Sequence, residues 1–228
     1  MDEDSIQIGD KVYDLDISNG LGTYAKKRVI RDEGNGVFTK VPHFVENDKL
    51  HFKTKHPTNL VITDRVVTNF KDTKGLFSEN EVEDIYNYLI VNGMTATTYS
   101  PNADINRGQF SLMIACALEL KPKGDKCPFE DASTKWYADQ VQALYETGII
   151  IGFTDGTFGG EKKLSRQQAA AMIARILEYM EVDTTPKEDV QLGDMDRISD
   201  YAKSAVQFLA SQDVLVSGED TNFNPFEN

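Results

Sequence analysis

Two arginines occupy a place that α-helices disfavour. In "LSRQQ" (Leu164–Gln168), Ser165 has the chemistry of an N-cap, and Gln168 stands three residues on at the capping-box spacing. Arg166 falls between them in the first turn. "INRGQ" repeats the pattern with Asn106, Arg107 and Gln109. A helix N-terminus carries about half a positive charge, which welcomes carboxylates and repels cations. One such arginine could be a surface charge costing a few tenths of a kcal/mol. Two at matched positions point to an anion, because exposed backbone N–H groups, the helix dipole and a guanidinium fork together make a receptor for one.

Other chemistry is hard to find. His43, His51 and His56 fall on strand-like segments, without HExxH or any His/Cys ligand spacing. "DLDISNG" (Asp14–Gly20) has its glycine one place late for a calcium loop, and Ala25 stands where the bidentate glutamate belongs. Cys116 and Cys127 make neither a disulfide framework nor a metal site. Cys116 reads as a small core residue on an apolar helix, with a bridge to Cys127 left open. No nucleophile–base pair or phosphate loop stands out. The expectation is a protein without catalytic residues, cofactor or metal.

The 228 residues carry 24 basic and 37 acidic side chains, a formal net charge of -13. That argues against general nucleic-acid binding, which needs a basic footprint, yet leaves room for one local arginine cluster. No apolar run approaches the ~20 residues a membrane span needs, and "MDEDSIQIGD" is not an export signal. The reading is therefore no membrane insertion, with any export signal lying elsewhere.

The elements that must position the arginines fall into two regions, an α+β organisation. Residues 1–68 read as small antiparallel β structure: "KVYDLDI", "GVFTKVPHFV", "KLHFKTK" and "NLVITDRVV" are strand-like, between the turn signals "SNGLG", "EGNG" and "ENDK". Residues 69–228 have helical periodicity in "EVEDIYNYLIVNG", "RGQFSLMIACALEL", "TKWYADQVQALYETG", "RQQAAAMIARILEYM" and "DYAKSAVQFLASQD". These helices belong to repeats. Leu209 laid on Leu144, an offset of 65, pairs Trp136 with Tyr201, Asp155 with Asp220 and Phe158 with Phe223. An earlier unit fits if its loop is shorter, with Leu89, Gly93 and Tyr99 matching Leu144, Gly148 and Phe158. Repeats at about 69–122, 123–184 and 185–228 should pack on one another, because one helix pair cannot bury both its apolar faces. The third, incomplete unit reaches Asn228 just before its own arginine is due.

The middle unit resembles an S-layer homology (SLH) repeat. Phe129, Asp131, Trp136, Gly148, Ile149, Gly152, Asp155, Gly156, Phe158, Leu164, Ser165 and Arg166 match that family's pattern in order. In the first unit Phe70, Asp72, Gly93, Met94, Tyr99, Pro101, Ile105 and Arg107 match, with Phe77 in place of the tryptophan. The third offers Asp194, Tyr201, Val214, Asp220, Phe223 and Pro225. The segment running into "TNFKD" resembles the β region that precedes such repeats in surface proteins.

The resemblance implies a pseudo-threefold bundle and a non-catalytic module on the bacterial cell surface. It would bind secondary cell-wall polysaccharide, commonly through a pyruvylated N-acetylmannosamine, in grooves between repeats. The implied glycan-binding residues are Arg166, Arg107, Trp136, Asp131, Gly152, Ser165 and Asp72. Trp136 could instead cap the core. Asp131 could orient an arginine or cap a helix. Gly152 could leave an amide open to the ligand or serve a turn, and Asp155-Gly156 reads as a turn. Gln168 and Gln109 replace the family's glutamate, and Ser217 stands where Gly152 does. The rival is a structural module for self-assembly with other surface-layer subunits, its arginines spent on contacts between repeats.

Overall fold

The computed structural model describes residues 12–15, 27–41, 43–46, 49–53, 59–66, 68–124, 126–212, 214 and 222–228. His56, most of the rejected calcium-type loop, Ser217 and Asp220 lie outside them. The fold is α+β, and it packs as two compact units, residues 1–103 with 113–120 and residues 104–112 with 121–228.

In the first unit the strands are β1 (Val12–Leu15), β2 (Lys27–Gly34), β3 (Val37–Lys40), β4 (His43–Glu46), β5 (Lys49–Lys53) and β6 (Leu60–Asp64). They form two antiparallel sheets, ordered β1-β5-β4 and β3-β2-β6. Asn35 and Gly36, both at positive φ, turn β2 into β3, the expected use of an Asn-Gly pair in a hairpin. Two features differ from the sequence reading. "GVFTKVPHFV" is not one strand: β3 and β4 belong to different sheets. And β2, central to its sheet, has no counterpart among the expected strands. It carries only two consecutive apolar residues, Val29 and Ile30, both buried, amid charges. Its Arg31 is buried as well, reconciled to that place by Glu33 at 3.7 Å and Glu119 at 3.4 Å. His43 sits on β4, its Nδ1 2.8 Å from the Val41 carbonyl and its ring edge-on to Tyr88.

Among the described residues the helices are α1 (Glu79–Asn87), α2 (Arg107–Ala117), α3 (Ala138–Glu146), α4 (Arg166–Tyr179) and α5 (Asp200–Ser211), with a 3-10 turn at Met195–Arg197. A polar side chain near the end of each repeat's first helix ties down the chain that leads into the repeat. Asn87 exchanges two hydrogen bonds with Val66, at 2.6 and 2.9 Å. Glu146 accepts from the amides of Lys123 and Gly124, and Gln207 exchanges two bonds with Val190.

The repeat alignment needs correcting. Expected as a match for Gly148, Gly93 instead stands where Gly152 does. A Cβ on Gly93 would lie 2.3 Å from Cε1 of Phe70, and one on Gly152 2.3 Å from Cε1 of Phe129. The true partner of Gly148 (φ 79°) is Leu89 (φ 57°), and that of Gly159 (φ 67°) is Ser100 (φ 65°). The first two repeats therefore superpose without a gap at an offset of 59, not with a shortened loop. Their aromatic cores agree: Phe70 meets Tyr86 and Tyr99 as Phe129 meets Tyr145 and Phe158. The third repeat keeps the left-handed position with Asn224 (φ 57°), and its core gathers Ala170, Ile198, Ala202, Val206, Leu209 and Phe223.

Candidate functional site

Both Arg helices begin as expected. Asn106 and Gln109 exchange side chain-to-amide bonds at 2.8 and 2.9 Å, and Ser165 and Gln168 form a capping box. The remaining first-turn amides are not open to an anion, however. Arg107 N–H donates to the Lys162 carbonyl at 3.0 Å and Gly108 N–H to Gly160 at 2.8 Å. At the next helix start Arg166 N–H donates to Glu227 at 2.7 Å and Gln167 N–H to Pro225 at 3.1 Å. Each Arg helix thus seats its positive end on backbone carbonyls of the following repeat's loop. The dipole and the orphan amides that the sequence offered to a ligand serve the join between repeats.

The aspartates hold those loops. Asp131 accepts from the amides of Phe158 and Gly159 at 2.9 and 2.8 Å, and Asp194 from Phe223 and Asn224 at 2.8 and 2.7 Å. Asp72 does the same for Tyr99 and Ser100. Those two amides, Tyr99 first, hold the Asp72 carboxyl below its ordinary range. A depressed carboxyl contributes stability that is fully present above its unfolded value of about 4 and is lost as pH falls through the folded value. The melting temperature of the wild type should therefore exceed that of Asp72→Asn by a constant margin above about pH 5, and the margin should close below about pH 4. A margin that widens on acidification would refute the clamp.

Arg107 is only 6% exposed. Its Cζ lies 5.1 Å from the ring centre of Phe153 and 5.0 Å from that of Phe158, and Lys162 Nζ shares the Phe153 ring at 4.7 Å. Its Nε is enclosed without a hydrogen-bond partner, and among the described residues no carboxylate pairs with it. Burial lowers its pKa, as does the charge of Arg175, and the guanidinium remains protonated at neutral pH. Arg166 is less enclosed: Cζ lies 5.1 Å from the Phe223 ring centre, and Nε donates to the Phe223 carbonyl at 2.8 Å.

Arg175 is the residue that sequence reasoning missed; it and Tyr201, expected only as the third unit's counterpart of Trp136, are both felt electrostatically by Arg107. A signal existed. Nine residues separate Arg166 from Arg175, half a turn out of phase on an α-helix, so α4 presents one arginine to each side.

Trp136 is not a core cap: it is 58% exposed, edge-on to the buried Tyr137. Phe77 and Tyr201, the matching residues of the other repeats, are 98% and 55% exposed. Gly152, at φ 73° against the Phe129 ring, meets a turn and packing requirement. Gly156 is at φ 81° and Asp155 Oδ1 accepts from Thr157 N–H, so this pair makes a turn. Cys116 and Cys127 are not joined in a disulfide. Among the described residues no group of three His, Cys, Asp or Glu is placed to hold a metal, and no helix is long and apolar enough to cross a membrane.

Helix pairs repeated in tandem, joined by aspartate-strapped loops and seated through an arginine helix start, define a tandem-repeat module. A family profile, the S-layer homology domain, matches residues 69–111 and 128–170. The chain is 34% identical over 148 residues to an endoglucanase of Bacillus sp. (strain KSM-635), covering 64% of this chain and 16% of that protein. It is 30% identical over 119 residues to the S-layer protein of Bacillus licheniformis, covering 51% and 14%. To the outer membrane protein SlpA of Deinococcus radiodurans it is 34% identical over 87 residues, covering 38% and 7%. The chain thus spans a sixth or less of these relatives. Residues 69–111 and 128–170 are two tandem SLH domains. Such domains are non-catalytic anchoring modules of the cell surface, found in S-layer proteins and surface enzymes, and the relatives imply a cell-surface location.

Proposed function

We propose that the chain anchors a surface protein by binding an acidic wall glycan, a pyruvylated amino sugar of secondary cell-wall polysaccharide, at Arg107 and, through a second groove, at Arg166. The observation that carries this is Arg107 itself, a guanidinium more than nine-tenths buried, held between two rings and lacking an acidic partner. A buried charge without a counter-ion is costly, and the ketal carboxylate of a pyruvylated sugar would supply one in a low-dielectric setting. Arg175 adds a second positive charge beside it. Trp136 and Tyr201 offer exposed aromatic faces to a sugar ring. Asp131, Asp72, Gly152 and Ser165 contribute by holding the loops and helix starts that aim the arginines. A second reading, an assembly module that pairs with other surface-layer subunits, draws on the bond from Arg166 to Phe223, which spends an arginine inside the protein.

Co-sedimentation with purified wall polymer tests the two. The chain should be retained by pyruvylated polymer and released once mild acid removes the ketal. Arg107→Gln should weaken retention at least tenfold, the loss of one charge-assisted contact of about 1.5–3 kcal/mol. Equal binding with and without the ketal would sink the pyruvate mechanism. Arginine variants that melt earlier yet sediment normally would favour assembly.

A further inference from the structure

The second unit contains two joins between successive repeats, and they share a pair of backbone bonds. At each, the first two amides of an Arg helix donate to carbonyls of the next repeat's loop. Backbone bonds carry no sequence information, so either helix start could seat on either loop. Side chains distinguish them. The N-cap residue of each following helix meets the second residue of the preceding Arg helix. At the first join these are Tyr137 and Gly108. A Cβ on Gly108 would come within 2.5 Å of the Tyr137 ring, and one on Gly160 within 2.3 Å of its hydroxyl. Tyr137 is fully buried, with its hydroxyl donating to Glu161 at 3.0 Å. The ring fills the space a side chain at 108 would need. At the second join the repeat offsets put Gln167 in the place of Gly108 and the buried Ala202 in that of Tyr137. Gln167 is buried, and its Oε1 accepts the Ser199 N–H at 3.0 Å. Here the long side chain comes from the Arg helix, and an alanine stands where the first join has its ring.

We propose that these contacts, the Tyr137 ring against Gly108 at one join and Gln167 on the Ser199 amide at the other, where Ala202 replaces the tyrosine, assign each Arg helix to its own repeat and thereby position Arg107 and Arg166. An exchange of helix starts would drive a glutamine into the Tyr137 ring at one join. At the other it would leave a void beside Ser199 and orphan its amide. In a chain of similar repeats, where misassembly between units is the characteristic failure, this is specificity by exclusion as well as by fit.

Transplanting the second join's residues into the first join tests the assignment. Gly108→Gln and Tyr137→Ala should each lower the melting temperature by about 5 °C or more. Each should also speed amide exchange at Arg107 and Gly108 at least tenfold. The double variant should recover more than half of the summed loss and restore protection at both amides. Losses that simply add, or exchange at Arg107 and Gly108 that is unchanged in the single variants, would overturn the proposal. Should Gly108→Gln fail to fold, Gly108→Ala alone and combined with Tyr137→Ala makes the same comparison.

Discussion

Replacing Asp194 by alanine is expected to lower stability by about 3–5 kcal/mol, a large share of the 5–15 kcal/mol that holds a typical domain together. The carboxylate is buried and accepts two backbone amides, from Phe223 and Asn224. Each charge-assisted bond contributes about 1.5–3 kcal/mol, and alanine leaves both donors without a partner in a place that excludes water. The damage should spread. The same loop presents Pro225 and Glu227 carbonyls to the start of α4 and the Phe223 carbonyl to Arg166 Nε. A melting temperature lower by roughly 10 °C is the expected readout, with Asp194→Asn keeping one acceptor and falling about half as far. Asp131→Ala, which removes an exposed member of the same set, should cost less. An Asp194→Ala variant as stable as Asp131→Ala would show that the clamp does not hold the third repeat.

What could be read beforehand was local. The capping boxes at Ser165 and Asn106, the Asp155-Gly156 turn and the α+β order depend on residues a few places apart. The matched arginines were visible because the chain repeats. What the arginine helix starts do with their amides was not, because the accepting carbonyls lie more than fifty residues downstream. The aspartate clamps were open to discovery: Asp72 precedes Tyr99, and Asp131 precedes Phe158, by the same number of residues. The repeat alignment failed for a conformational reason. Glycine was matched with glycine, whereas the structure preserves left-handed backbone, which Leu89, Ser100 and Asn224 adopt without glycine's help. Strand β2 was missed because Arg31 becomes a core residue only when Glu119, far along the chain, comes to meet it.

Phe158→Ala is expected to be about as disruptive in the second unit as Asp194→Ala. The ring is fully buried, 5.7 Å from Phe129, 6.0 Å from Tyr137 and 5.0 Å from the Arg107 guanidinium. Truncating a buried phenylalanine costs about 3–5 kcal/mol through lost transfer energy and the cavity left behind. Stability alone does not reveal what the ring does for Arg107, and Phe158→Leu separates the two roles. Leucine keeps most of the apolar volume, so the fold should lose less than about 1.5 kcal/mol. It has no ring face, and a desolvated cation–π contact contributes about 2 kcal/mol. Arg107 would then keep only Phe153, a ring it already shares with Lys162. The guanidinium should tilt toward water, and retention by pyruvylated polymer should fall several-fold while the chain stays folded. A double-mutant cycle with Arg107→Met would measure the contact directly, and a coupling near zero would mean that Phe158 supports the core alone. If the coupling is found, the burial of Arg107 has a physical explanation. Aromatic faces offset part of its desolvation, and the charge stays poised in a low-dielectric setting where a ligand carboxylate would be held more strongly than at an exposed arginine.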